Sequence, residues 1–263
     1  MYIKRGRVVN DDGVMNNTDI YVEDGIIKYV GNGKDFCVPG GVRTIDAAGK
    51  FVIPGGIDPH THLEMDFDGV VTADDFYHGT KAAIAGGTTT ISKILKFLIS
   101  KLILTDFFFL VDFILPKKGQ SLLEAYEFWR SRADKKVCCD YALHMGITWW
   151  SKSVSDEMKV LCENYGINSF KMYMAYKDVM MLNDSELYEV MERCKELGAL
   201  AQVHAENGYI IDKNAKKLLA KGITGPEGHE LSRTEEVEAE AVNRACMIAH
   251  QVRYEYNVSF YLT

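Results

Sequence analysis

No run of basic residues occurs in this 263-residue chain, and its 30 lysines and arginines against 37 aspartates and glutamates leave a formal charge of -7 spread along its length. A nucleic-acid groove needs a cationic stripe, so no nucleic acid is expected as a partner. An apolar leader is equally absent: Met1-Tyr-Ile-Lys-Arg-Gly-Arg passes directly into an alternating pattern, which reads as no secretory signal and a cytoplasmic protein. The six cysteines, Cys37, Cys138, Cys139, Cys162, Cys194 and Cys246, form no CxxC and no regular framework. That spacing points to buried thiols in a reducing compartment, not to a disulfide scaffold. The most apolar stretch, Ile91 to Leu115, is interrupted by Lys93, Lys96, Lys101, Asp106 and Asp112. It never reaches the roughly 18 uncharged residues of a spanning helix, so no membrane partner is expected.

What the chain does have is material for a core: 47% of its residues are hydrophobic and 25% charged. That balance suits one barrel-sized domain or two smaller ones. Residues 1–50 read as short alternating runs, Ile3 to Val9, Ile20 to Val22, Ile26 to Val30 and Thr44 to Ile45, broken by Asp11-Asp12-Gly13, Asp24-Gly25 and Gly31-Asn32-Gly33. This is the pattern of a small antiparallel β unit. From Phe51 apolar strands alternate with longer amphipathic stretches, the pattern of parallel βα units.

Strands are expected at Phe51 to Ile57, Thr88 to Ile91 (continued at Val111 to Leu115), Val137 to Ile147, Ser169 to Met174 and Ala199 to His204. Helices are expected at Ala73 to Ala85, Ser121 to Ala133, Ser153 to Tyr165, Asp184 to Leu197 and Glu235 to Gln251, with Asp184 as an N-cap. About five βα steps after a β unit predict an α/β chain with a partial TIM-type (β/α)8 barrel.

Three strand ends carry the chemistry. Pro54-Gly-Gly-Ile-Asp58-Pro-His60-Thr-His62 puts two imidazoles two residues apart, and alternate residues of a strand point the same way, so both rings can meet one cation. Asp58 is either a carboxylate orienting an imidazole or a strand-end turn residue. Lys171 lies in the middle of an otherwise apolar strand, Asn168-Ser-Phe-Lys-Met-Tyr-Met-Ala-Tyr176. Burying an ammonium costs several kcal/mol, so this lysine is paired, neutral or modified. If neutral, its amine can add carbon dioxide and become an anionic ligand able to bridge two cations; a rim lysine paired with a carboxylate is the plainer alternative. His204 ends a third apolar strand, and active sites of βα barrels gather at strand C-terminal ends. Together the three ends predict a two-metal site. Tyr176 can reach the mouth of that site as a hydrogen-bond donor or be half-buried packing. His78, His144, His229 and His250 read as structural or surface residues.

The segments PGGIDPHTH, DDFYHGTKAAIAGGTTT, KVCCDYALH, TWWS, NSFKMYMAYKD, GALAQVHAENG and GITGPEGHELSR together resemble the dihydropyrimidinases and D-hydantoinases, cyclic amidohydrolases of the metal-dependent hydrolases. The match runs from about Val8 to Ala249. The resemblance implies a small β-sandwich joined to a (β/α)8 barrel, a homotetramer, and two zinc ions per complete subunit. By motif, His60 and His62 would bind the more buried zinc, carboxylated Lys171 would bridge the two, His204 would bind the more exposed one, and Tyr176 would steady the oxyanion and orient the ring. The implied reaction is opening of the cyclic amide of 5,6-dihydrouracil or dihydrothymine by a zinc-bound hydroxide. The close rival is the related collapsin response mediator group, non-catalytic cytoskeletal adaptors whose scaffold is similar but which lack the metal ligands.

Two departures from the pattern stand out. Residues 92–110 interrupt what in these families is one continuous strand, and residues 252–263 look unrelated to them, although Asn257 to Leu262 reads as a strand. The expected organisation is therefore a partial β-sandwich at 1–50 and a truncated barrel at 51–263 with an insertion at 92–110. It corresponds to the N-terminal half of the family, lacking the remaining histidine ligand and the catalytic aspartate. Such a chain is expected to be inactive alone.

Overall fold

The computed structural model describes residues 1–67, 69–91, 111–253 and the backbone of 258–261. The apolar stretch beginning at Ile91 and the expected insertion at 92–110 fall almost wholly outside these residues. The chain opens with β1 (Tyr2–Asn10), β2 (Gly13–Glu23) and β3 (Ile26–Gly31), joined as antiparallel neighbours. The turns between them fall where Asp11-Asp12-Gly13 and Asp24-Gly25 predict them. Gly25 at φ 75° and Asp24 at φ 51° supply the left-handed backbone that the second turn needs. The unit is not purely antiparallel, however. β4 (Thr44–Asp46) and β5 (Phe51–Val52) both lie parallel to β1, so the sheet is mixed.

The expected strand from Phe51 to Ile57 is two strands in two different sheets. β5 closes the first sheet against Arg7 and Val8, and β6 (Gly56–Ile57) begins the second by pairing with Thr88 and Thr90. Pro54 between them has no backbone N–H to give a ladder and Gly55 adds backbone freedom, so the chain changes sheet here. A small hairpin of β7 (Asp66–Phe67) and β8 (Val70–Val71) follows.

The second sheet is parallel throughout. Its strands are β6, β9 (Thr88–Ile91), β10 (Val111–Ile114), β11 (Asp140–Ile147), β12 (Ser169–Tyr173), β13 (Leu200–His204) and β14 (Val258–Tyr261). They run in the order β14, β13, β12, β11, β9, β6, with β10 also paired to β11. β9 and β10 occupy successive registers of the same neighbour: Ile91 pairs with Tyr141 and Val111 with Ala142. Within the stretch expected to be unrelated to the family, β14 extends this sheet by pairing Val258 to Tyr261 with Ala201 to His204.

Helices α1 (Phe76–Ala85), α2 (Leu122–Ala133), α3 (Lys152–Asn164), α4 (Asp184–Leu197) and α7 (Glu235–Gln251) match the expected ones within a few residues. The sequence reading missed α5 (Gly208–Ala220) and the short α6 (Glu227–Ser232). The N-cap of α4 is Asn183, not Asp184: the Asn183 side chain accepts the Glu186 N–H at 3.0 Å, and the Glu186 carboxylate accepts the Asn183 N–H at 2.8 Å. This reciprocal box satisfies two otherwise orphaned donors. Gly198 at φ 62° ends the helix in the left-handed conformation that glycine takes without strain.

The core lies between the parallel sheet and its helices, with Ile114, Met145, Ile147, Phe170, Met172 and Val203 from strands meeting Leu122, Trp129, Val154, Met158, Leu161 and Val190 from helices. Every residue of β12 is buried, so this strand is covered on both faces, as strands of parallel sheets are. Phe170 and Met172 belong to the helix-facing core, which leaves Ser169, Lys171 and Tyr173 for the opposite face. That opposite face holds the polar chemistry.

All six cysteines are free thiols, and Cys194 alone is buried while Cys37, Cys138 and Cys246 are exposed. The expectation of uniformly buried thiols is thus corrected. Cys37 lies beyond a surface 3-10 turn and Cys138 just before β11, where little packs over them. Among the described residues no helix is long and apolar enough to cross a membrane.

Candidate metal centre

After β6 the chain runs from Asp58 to His62 beside the end of β10. Asp58 takes the turn role: its carboxylate accepts the His60 N–H at 3.0 Å. Asp112 holds the far side, accepting the Leu63 N–H at 3.0 Å while the backbone of Thr61 bridges Asp112 in parallel. Fixed from both sides, His60 and His62 bring their Nε2 atoms within 3.0 Å of each other. Two ligands at about 2.0–2.1 Å from one cation approach each other to nearly this separation. Both rings pack on Phe113, with centroids at 4.6 and 5.1 Å.

Electrostatics suit the same purpose. Burial pushes His60 down to about 4, aided by the nearby charges of His62, Lys171 and His204, and burial also lowers His62. Both imidazoles are therefore neutral near pH 7 and offer lone pairs. His62 Nδ1 is buried and has no hydrogen-bond partner among the described residues.

Lys171, in the middle of β12, is 2% exposed, and burial lowers its amine to about 7. Its Nζ lies 5.8 Å from the centre of the Phe113 ring, against which both histidines also pack. Lys171 is the residue of β12 paired with Gln202 of β13, and His204 stands two residues further along β13 on the same face. The four residues singled out from sequence thus share one region. Lys171 and His204 act electrostatically on His60, and Lys171 on His62.

His204 is oriented differently from the other two histidines. Its Nε2 meets the Glu206 carboxylate at 2.6 Å, and Arg233 approaches the same carboxylate at 3.5 Å. Burial works to raise the Glu206 pKa, but the bond from His204 and the charges of His204 and Arg233 outweigh it and lower it. Tyr176 stands beside His204, ring centroids 5.1 Å apart, and burial raises its hydroxyl pKa. Its backbone has φ 59°, a conformation that costs of order 1–3 kcal/mol in a non-glycine residue and is characteristic of functional positions.

Among the described residues no three His, Cys, Asp or Glu side chains converge as a metal cage. His60 and His62 converge through their Nε2 atoms, their ring planes 78° apart. The third group of the expected set is a lysine, which becomes a ligand only after its amine is modified.

Four further residues belong to this region that the sequence reading had not placed here. Asp112 tethers the His60–His62 segment, and burial raises its carboxyl to about 8 against the two backbone bonds that pull it down. Glu206 follows His204 by two residues, a spacing that could have marked it as sharing a side. His144 and Gln202 form a buried polar layer below the cluster, with burial pushing His144 down to about 3. The sequence marks His144 as a structural or surface residue, leaves Gln202 and Glu206 unmarked within GALAQVHAENG, and sets Asp112 in an apolar stretch.

Comparison with known proteins places the chain in a family. Residues 51–257 match the amidohydrolase family. The chain is 53% identical to the dihydropyrimidinase of Rattus norvegicus, over 96% of this chain and 45% of that protein. It is 51% identical to dihydropyrimidinase-related protein 5 of Homo sapiens, over 98% of this chain and 42% of that protein. A crystal structure of a D-hydantoinase superposes with a TM-score of 0.84 at 41% identity, covering 95% of this chain and 50% of the other. The chain therefore spans about half the length of the relatives it matches. It belongs to the amidohydrolase family, in the group that contains the dihydropyrimidinases and D-hydantoinases.

Proposed function

We propose that this chain carries the N-terminal share of a dihydropyrimidinase-type site, which opens the cyclic amide of 5,6-dihydrouracil or dihydrothymine to an N-carbamoyl amino acid. The observation that carries this reading is the pair of neutral imidazoles, His60 and His62, whose Nε2 atoms converge and whose rings pack on the same phenylalanine as a buried lysine whose amine is lowered to about 7. His60, His62, Lys171 and His204 would hold zinc, two ions per complete subunit, with Lys171 carboxylated as the shared ligand. The donor set fits: neutral nitrogens suit zinc, and a lysine amine that is neutral near physiological pH can take up carbon dioxide. A bound divalent cation polarises a carbonyl and makes a nucleophile available at neutral pH.

The chain's own residues do the rest. Phe113, fully buried, packs against the rings of both histidines. Glu206 and Arg233 fix the ring of His204. Tyr176, pinned in a left-handed conformation at the site edge, presents a hydroxyl whose raised pKa keeps its proton available for donation to a developing oxyanion. The surrounding scaffold is read as a partial (β/α)8 barrel, with the first sheet as part of a β-sandwich.

The second reading, a non-catalytic adaptor of the dihydropyrimidinase-related kind, has the 51% identity to such a protein in its favour. The two are separated by elemental analysis of the purified chain after incubation with zinc. The enzyme-type reading expects bound zinc that is lost in His60→Ala and Lys171→Ala. A folded chain that takes up no divalent metal overturns it, and chelator-insensitive capture of tubulin by that metal-free chain supports the adaptor. Loss of dihydrouracil absorbance then reports whether this length of chain turns over substrate.

A further inference from the structure

The buried layer beneath the cluster centres on His144, on β11, which is 1% exposed. Its Nε2 lies 3.1 Å from the carbonyl oxygen of Pro59, the residue immediately before His60. Its Nδ1 meets the Gln202 side-chain nitrogen at 2.9 Å and also the Ser169 hydroxyl. Ser169 precedes Lys171 by two residues on β12, and Gln202 precedes His204 by two on β13. Each partner of this one ring therefore sits one or two residues before a residue of the candidate centre, on three different elements.

The hydrogen-bond roles follow from the partners. A carbonyl oxygen only accepts, so Nε2 carries the proton and donates to Pro59. In a neutral imidazole Nδ1 is then a lone pair, which takes the Ser169 hydroxyl proton, while the Gln202 amide nitrogen, 2.9 Å from Nδ1 and 3.2 Å from Nε2, lies against the ring face. Phe113 closes the ring's other side at a centroid distance of 4.8 Å. None of these bonds involves a residue that would touch a metal or a substrate. They govern instead where the backbone of the His60–His62 segment lies relative to β12 and β13.

We propose that His144 is a positioning residue, tethering the His60–His62 segment through Pro59 to the strands that carry Lys171 and His204. This rests on the reading of those four residues as metal ligands, although the tether itself is made of contacts among the chain's own groups. β6, the last regular element before the segment, is only two residues long. Its own ladder gives little register control, and a side-chain bond to the Pro59 carbonyl supplies what the ladder does not.

The test uses the full chain, stripped of metal, and reads hydrogen exchange by mass spectrometry over residues 58–63. His144→Phe, which fills the space without a donor, should raise exchange there while leaving α3 unchanged. His144→Gln, whose amide nitrogen can reach the Pro59 carbonyl, should restore protection. His144→Asn, too short to do so, should not. Cobalt(II) titration of the same proteins should show affinity lower by about 10- to 100-fold in the Phe and Asn variants and near the parent in Gln. Imidazole nitrogen shifts of the unsubstituted protein should report His144 as the Nε2–H tautomer, a readout that needs no variant to fold. An Nδ1–H tautomer, or equal protection of residues 58–63 in Phe and Gln variants, overturns the proposal. If protection responds as expected but no form of the chain binds cobalt, the tether stands and the metal reading falls.

Discussion

Ile91 and Val111 occupy adjacent registers on β11, one paired with Tyr141 and the other with Ala142, although residues 92–110 separate them in the chain. Neighbouring ladder positions are one residue apart in a continuous strand, so a peptide bond can join Ile91 directly to Val111. Deleting 92–110 should leave the parallel ladder intact. The shortened protein should show equal or greater soluble yield and a thermal midpoint no lower than the parent's, because the segment removed is rich in Leu and Phe. A deletion variant that is insoluble, or that unfolds at a clearly lower temperature, would show the segment to be integral to the sheet.

Asp112 lies immediately after that junction. Its carboxyl is raised from 3.8 to about 8, with burial as the largest cause. Between those values the folded protein binds more protons than the unfolded chain, so the group's contribution is fully present below about 4 and is lost as pH rises through about 8. In the presence of chelator, the stability of the parent relative to Asp112→Asn should fall from about pH 5 to about pH 8, at up to about 1.4 kcal/mol per pH unit. Urea titrations at several pH values measure it. A difference that grows with pH would mean that the N–H groups of Leu63 and Phe113 hold Asp112 ionised.

The cap of α4 separates two adjacent residues by role. Asn183 closes the reciprocal box with Glu186, whereas Asp184 sits in the first turn with its side chain on Arg244 at 2.6 Å. Asn183→Ala should cost about 1 kcal/mol. Asp184→Ala, which breaks a solvent-exposed ion pair, should cost less, roughly 0.2–1 kcal/mol. Denaturant unfolding of both variants decides it, and the reverse order would return the cap to Asp184.

Much of this fold is written in local pattern. The helices from Leu122 to Ala133 and from Glu235 to Gln251 follow from apolar spacing, and β12 and β13 follow from short apolar runs between polar turns. Three features were not legible, each for a physical reason. The split at Pro54 was hidden because apolar character persists across Phe51 to Ile57 while the hydrogen-bond partner changes from β1 to β9. Helix α5 begins at Gly208, behind an Asn207 cap, and buries only Gly208 and Ile211. In the site, His60 and His62 declared themselves by spacing and Lys171 by its setting. Asp112, His144 and Gln202 act through bonds to residues far away in the chain, and nothing in a local window announces such a partner.

Lys171 offers the most direct chemical test of the candidate centre. Carbon dioxide adds only to a neutral amine: the nitrogen lone pair forms the N–C bond, one N–H proton is released, and the product is an anionic carbamate. Burial lowers this amine from 10.5 to about 7, so the reactive form is scarce below that pH and predominates above it. An exposed lysine stays almost wholly protonated over the same range. Incubation with carbon-13 bicarbonate should therefore give a carbamate resonance that grows as pH is raised from about 6 to about 8. Added zinc should increase the signal by drawing the carbamate into coordination. Lys171→Arg, whose guanidinium stays charged throughout, should abolish it. No resonance in the folded protein at any pH up to about 9, or one that survives in Lys171→Arg, would remove Lys171 from the ligand set and leave it as a buried lysine between the Phe113 and Tyr173 rings.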